Sequence, residues 1–171
     1  MEHPRPRKIA SLLALSLAAA VGGAVGQMNW KLIASSYPRG RISHAMAYDA
    51  ARQRVVLFGG DTADATWEWD GKRWLLLHPP VSPPPCSGHA LVYDGARQRV
   101  VLFGGRVGQQ VSDHTWEWDG QTWTRMNPQR SPTAREMHAM AYDAARQRVV
   151  LFGGAVSNIW SENDTWEWDG K

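Results

Sequence analysis

Apolar residues in this chain come in short runs of β character, grouped so that four runs make a unit. In one such unit His89-Ala90-Leu91-Val92-Tyr93-Asp94 is followed by Arg99-Val100-Val101-Leu102-Phe103. Both runs are rich in β-branched, aromatic and other apolar residues, which predicts two strands. Residues 95–98 between them predict a tight hairpin loop, opened by Asp94, whose carboxylate can accept backbone N–H groups of the turn. Gly104-Gly105 ends the second strand with two residues that permit positive φ and close backbone approach. Thr115-Trp116-Glu117-Trp118-Asp119 alternates, which sets both indoles on one face and Thr115 with Glu117 on the other. Asp119-Gly120 then predicts a turn, and Trp123-Thr124-Arg125-Met126 a fourth strand.

The same order is written three times. Residues 44–60, 89–105 and 138–154 share the frame His-Ala-x-x-Tyr-Asp-x-Ala-Arg-Gln-Arg-Val-Val-Leu-Phe-Gly-Gly, and Thr-Trp-Glu-Trp-Asp-Gly follows at 66–71, 115–120 and 165–170. The steps are 45 residues (44 to 89) and 49 residues (89 to 138). Repeats of this length, built of four antiparallel strands, predict an all-β fold of propeller blades. The expected division is residues 38–78, 79–127 and 128–171 for three blades, the last lacking its fourth strand. Residues 27–37 carry an orphan fourth strand at Trp30-Lys31-Leu32-Ile33, which stands 14 residues before His44 as Trp74 and Trp123 stand 15 before His89 and His138. Propellers hold four to eight blades. Three therefore predict a ring left incomplete in one chain, to be completed by a head-to-tail homodimer or by the rest of a longer repeat protein.

The glycine pair after Val-Val-Leu-Phe, the aromatic third strand, the trailing Trp, and the Arg-x-x-His lead-ins at residues 41–44 and 135–138 together resemble the kelch motif. The units are most similar to secreted bacterial kelch-type repeat proteins, across residues 27–171. That resemblance implies a kelch-type β-propeller. The chain departs from the pattern at Cys86, which stands where the second lead-in should carry Arg. The Trp-Asp pairs at Trp69-Asp70, Trp118-Asp119 and Trp168-Asp169 resemble WD-repeat propellers less well, because the glycine pair and trailing Trp have no place in that motif. Most of the ten Trp sit at repeat-equivalent positions, where large flat side chains pack blade on blade. Trp160 alone lies in a loop without a counterpart.

The N-terminus alters the charge argument. Arg5, Arg7 and Lys8 precede an uncharged, apolar stretch at residues 9–25, ending in small residues at Ala24-Val25-Gly26. Residues 1–26 are expected to be a cleaved secretory signal, with the mature chain starting near Gln27 and no membrane attachment afterwards. The stretch is short for a bilayer span. The whole chain has 19 Lys+Arg and 16 Asp+Glu; without Arg5, Arg7, Lys8 and Glu2, 16 basic and 15 acidic residues remain. Nucleic acid is therefore not an expected partner. A single cysteine, Cys86, excludes an internal disulfide and is expected as a buried thiol with no base beside it.

Residues identical in every unit are expected to build blades. His44, His89 and His138 would have to converge on one point to bind zinc, and as equivalents on separate blades they are expected to be structural. Glu68, Glu117 and Glu167 are expected to be one hydrogen-bonded carboxylate per blade and not an acid–base pair for sugar hydrolysis. Arg52, Arg54, Arg97, Arg99, Arg146 and Arg148 are each expected to pair with the turn Asp of their own blade. No catalytic residue, metal or cofactor is expected. Kelch propellers include copper oxidases of the galactose oxidase type, but the tyrosines here are Tyr37 and the repeat positions Tyr48, Tyr93 and Tyr142, which do not reproduce that site.

Strand direction alternates, so connections one–two and three–four share one rim and connections two–three and four–one the other. The first rim is almost invariant. On the second the chain spends residues 61–65, 106–114 and 155–164 between the glycine pair and the Thr-Trp. Length variation on a rigid scaffold marks where function is hosted. The expected contacts to a protein or glycan ligand are Asp61, Asp64, Arg106, Gln109, Gln110, Asp113, His114, Asn158, Trp160, Glu162 and Asn163, with Trp160 as aromatic anchor. The competing expectation is an extracellular carbohydrate-active enzyme or a fragment of a galactose-oxidase-like copper oxidase.

Overall fold

The computed structural model describes residues 29–33, 37–60, 65–156 and 159–171. The expected signal therefore lies outside the described residues, as do Asp61, Asp64 and Asn158. Met1–Lys31 forms a unit separate from Leu32–Lys171. The described residues of the larger unit are all-β.

Each repeat folds into an antiparallel sheet. The first holds β1 (Ala45–Asp49), β2 (Arg54–Phe58), β3 (Thr66–Trp69) and β4 (Trp74–Leu77) in sequence order. The second holds β5 (Ala90–Asp94) and β6 (Arg99–Phe103), then β9 (Thr115–Trp118) and β10 (Trp123–Met126). The third has three strands, β11 (Ala139–Asp143), β12 (Arg148–Phe152) and β13 (Thr165–Trp168). In the second unit a small hairpin of β7 (Arg106–Val107) and β8 (Gln110–Val111) fills the variable connection, where no strand was expected. Register repeats as well: Asp49 faces Arg54, Asp94 faces Arg99 and Asp143 faces Arg148.

The expected hairpin loops form, with an unexpected residue at their tight point. Gln53, Gln98 and Gln147 adopt φ of 53°, 55° and 55°, so the left-handed step falls on Gln. The turn is held by the preceding Asp, whose Oδ1 accepts from the backbone N–H of Arg52, Arg97 and Arg146 at 3.1, 3.0 and 3.0 Å. A carboxylate that fixes the loop in this way offsets the cost of a side chain at positive φ.

First strands stand side by side, β1 and β11 each packing on β5. The sheets thus succeed one another like blades in a propeller-like arrangement, and the three do not close a ring. The core lies between sheets and gathers Val56, Phe58, Leu91, Val100, Leu102, Trp116, Trp118 and Trp123. The glycine pairs explain how closely blades approach. A Cβ on Gly104 would lie 2.5 Å from Arg135 O and 2.9 Å from His138 Cε1, both in the following blade. Only glycine fits there, and its neighbour Gly105 donates to that same Arg135 carbonyl at 2.8 Å.

Residues 29–33 form no strand, and Trp30 is fully exposed. A fourth strand has no ladder to join except along a third strand, so its sequence pattern alone does not make it one.

Candidate functional site

The invariant rim is occupied by its own charges. Arg52 Nε donates to Asp49 Oδ2 at 2.8 Å and Nη1 to Glu68 Oε1 at 2.6 Å. Arg97 bridges Asp94 and Glu117 in the same way, and Arg146 bridges Asp143 and Glu167. The expectation that every rim arginine pairs with its turn Asp holds for these three only. Arg54, Arg99 and Arg148 point elsewhere and donate to the carbonyls of Gln53, Gln98 and Gln147. They face Asp across the ladder, where the guanidinium of the residue three after the Asp already fills the carboxylate.

The glutamates also serve the next blade. Trp118 Nε1 donates to Glu68 Oε1 at 3.2 Å, and Trp168 Nε1 to Glu117 Oε1 at 2.9 Å. Each indole lies beneath the arginine of the preceding blade, with Arg52 Cζ 6.0 Å and Arg97 Cζ 5.7 Å from the ring centres. A carboxylate engaged by a guanidinium and an indole N–H is held in place, as a structural group is.

His89 and His138 are spent on packing. His89 stands edge-on to Phe58 at 5.8 Å and His138 to Phe103 at 5.4 Å, each against the preceding blade. Burial pushes both rings down to a pKa of about 4, with Arg135 adding to the effect at His138. Among the described residues no group of three or more His, Cys, Asp or Glu is placed to hold a metal ion. The hydroxyls of Tyr93 and Tyr142 accept from the backbone N–H of Ala51 and Ala96 at 3.3 and 3.0 Å, again across a blade boundary.

Cys86 is buried as expected, but it does have a base beside it, His89 Nδ1 at 3.4 Å. The pair is not a nucleophile. Burial pushes the thiol up to about 12, so it stays protonated beside the imidazole. Its departure from the repeat has a structural reason. At the equivalent position the fully buried guanidinium of Arg135 donates to Gly153 O at 2.9 Å and pairs with Asp164, whose carboxyl it holds down at about 2. The two corresponding residues of the second blade are Cys86 and His114, so cation and anion are replaced together and no buried charge is stranded. The native thiol should therefore resist a maleimide or disulfide reagent for hours at pH 8 and react fully once denatured. Rapid labelling of the native chain would show that Cys86 is accessible.

On the variable rim both described loops are tied down at their base. Ser87 and Arg106 exchange backbone hydrogen bonds at 3.1 and 2.7 Å, and Glu136 and Ala155 exchange theirs at 2.9 and 2.8 Å. Arg106 is not a free ligand contact: its guanidinium grips the Glu136 carboxylate, with Nε at 3.2 and 3.1 Å from the two oxygens, and Nη1 caps Gln109 O at 3.2 Å. The hairpin tip turns at Gly108, φ 59°, and leaves Gln109 and Gln110 exposed. Asp113 is exposed with His114 Nε2 at 3.9 Å. On the next loop Val156 N donates to Trp160 O at 3.0 Å, which turns the chain and projects Trp160 outward, 69% exposed, beside exposed Ile159. Glu162 is half-buried with its N–H on Gly154 O at 2.9 Å, and Asn163 is exposed. The expected residues therefore form two groups on adjacent blades, a polar hairpin tip and an apolar tip. Ile159 belongs to the second and was not expected; an isolated apolar residue next to a loop Trp was the available signal.

No family model and no curated protein matches the chain.

Proposed function

We propose that this chain is a secreted, noncatalytic recognition module of the kelch type that binds a protein or a glycan on the rim of its variable loops. The observation that carries the reading is the contrast between rims. Arg52, Arg97 and Arg146 on one rim are consumed by fixed ion pairs, while the other rim presents Trp160 and Ile159 on one loop and the polar tip at Gln109 and Gln110 on another. An exposed indole on an anchored loop gives large contact area at small entropic cost, the usual hot-spot chemistry. The basic N-terminus followed by residues 9–25 supports export, and the repeat motif supports the kelch assignment.

Glycan arrays probed with the purified chain, with and without copper, test the reading. Trp160→Ala should lower the affinity for any hit about tenfold or more, while thermal stability stays within about 0.5 kcal/mol of the parent. Undiminished binding by Trp160→Ala would remove the anchor. Copper-dependent oxidation of an arrayed sugar would replace the recognition reading with the oxidase.

A further inference from the structure

Two residues of the variable rim break the repeat together. Arg106 follows the second glycine pair, where the first and third units carry Asp61 and Ala155. Glu136 stands two residues before His138, where the other units carry Ile42 and Ser87. Blades therefore form without either side chain. At the boundary of the first and second blades the corresponding residues, Asp61 and Ser87, cannot make an ion pair. At the boundary of the second and third, Arg106 and Glu136 make one.

The grip is two-pronged. Nε of Arg106 lies 3.2 and 3.1 Å from the two Glu136 oxygens and Nη2 donates to Oε1, while Nη1 reaches back to Gln109 O at 3.2 Å. Hydrogen bonds of this kind fix orientation as well as distance. Glu136 is only 9% exposed, which sets the contact apart from an ordinary surface pair. Its side chain leans over Gly88 of the second blade's lead-in, where a Cβ would stand 3.4 Å from Glu136 Cβ and 3.3 Å from Oε2. Beside it Met137 N donates to Gly88 O at 2.7 Å.

Both partners are rooted in loop backbone. Arg106 is paired with Ser87, and its hairpin ends in exposed Gln109 and Gln110. Glu136 is paired with Ala155, at the root of the loop that carries Ile159 and Trp160. Ala155 also bridges to Ser161, and Val156 N donates to Trp160 O, so paired backbone runs from Glu136 to the indole. The ion pair is thus the link between the polar tip and the apolar tip.

We propose that Arg106 and Glu136 are positioning residues, a latch that holds the polar tip of the second blade at one spacing from the apolar tip of the third, so that the two act as a single preorganised surface. The inference rests on the recognition reading above and adds that a partner meets both tips at once. Without the latch such a partner would first have to order the tips, which lowers affinity.

Nitroxide labels on Gln110→Cys and Trp160→Cys, attached to the native chain in which Cys86 is buried, read the spacing without any partner. Pulsed electron resonance should give one narrow distance. That distance should be lost alike in Arg106→Gln, in Glu136→Gln and in the double variant, since residues acting through one contact are not additive. The double variant strands no buried charge, so it keeps the test open if a single one folds poorly. The amides of Val156 and Glu162 should exchange about tenfold faster in Arg106→Gln, although that residue belongs to another blade. Tyr142→Phe removes a hydrogen bond at the same boundary and should leave both readouts at parent values. A narrow distance in the double variant, or equal broadening in Tyr142→Phe, overturns the latch. Failure of the recognition reading looks different: no array hit, with the spacing still set by the pair.

Discussion

Trp123→Ala should cost about 3–5 kcal/mol, read as a fall in the denaturant midpoint with an unchanged slope. The side chain is 1% exposed and touches two blades at once, with Phe58 and Trp118 both 5.4 Å from its ring. Removing it empties the space between sheets and leaves Thr66 Oγ1, also fully buried, without its donor. Rigid paired sheets cannot collapse into that space without breaking the blade register, so the high end of the range applies. A loss below about 1 kcal/mol would mean that the blades repack freely and that the interface is not built around this indole.

Mild acid should destabilise the chain. His89 and His138 are held at about 4 chiefly by burial, whereas in an unfolded chain they take up a proton near 6.5. Folded pKa values below the unfolded ones mean that the stability is complete above pH 6.5 and is lost as pH falls towards 4. Each ring accounts for up to about 3 kcal/mol across that window. Melting temperatures between pH 7 and pH 4.5 should fall steeply, and a His89→Gln, His138→Gln double variant should melt lower at pH 7 but with a flatter acid limb. Equal slopes for the two proteins would acquit the histidines.

The strands were legible because an identical sentence occurs three times with turn residues in fixed places. β1, β5 and β11 came one residue shorter than their runs; His89 and His138 belong to the interface and not to the ladder, while His44 is exposed. What lay beyond reading was whatever depends on the neighbouring blade. The partners of Glu68 and Glu117 are indoles about fifty residues away, and nothing local marks them. The hairpin of β7 and β8 escaped because its strands are two residues long. Arg106 looked free because its partner, Glu136, lies thirty residues on in the next lead-in. Of the candidate site, the loops and Trp160 were visible as breaks in repetition, and Ile159 was overlooked because one apolar loop residue is unremarkable alone.

One feature separates chemistry from context within this chain. The peptide Thr-Trp-Glu-Trp occurs as β3, β9 and β13, yet only in β9 are all four residues buried; β3 is alternately buried and half-buried, β13 alternately exposed and half-buried. Side-chain identity is constant, so the gradient is purely one of neighbours: the central copy has a sheet on both sides. Local opening must then follow position and not sequence, with the terminal copies fraying at a fraction of the energy that the central one requires. A stability assigned to this tetrapeptide by composition would be right for none of the three, because each copy borrows a different share of its order from what lies beside it.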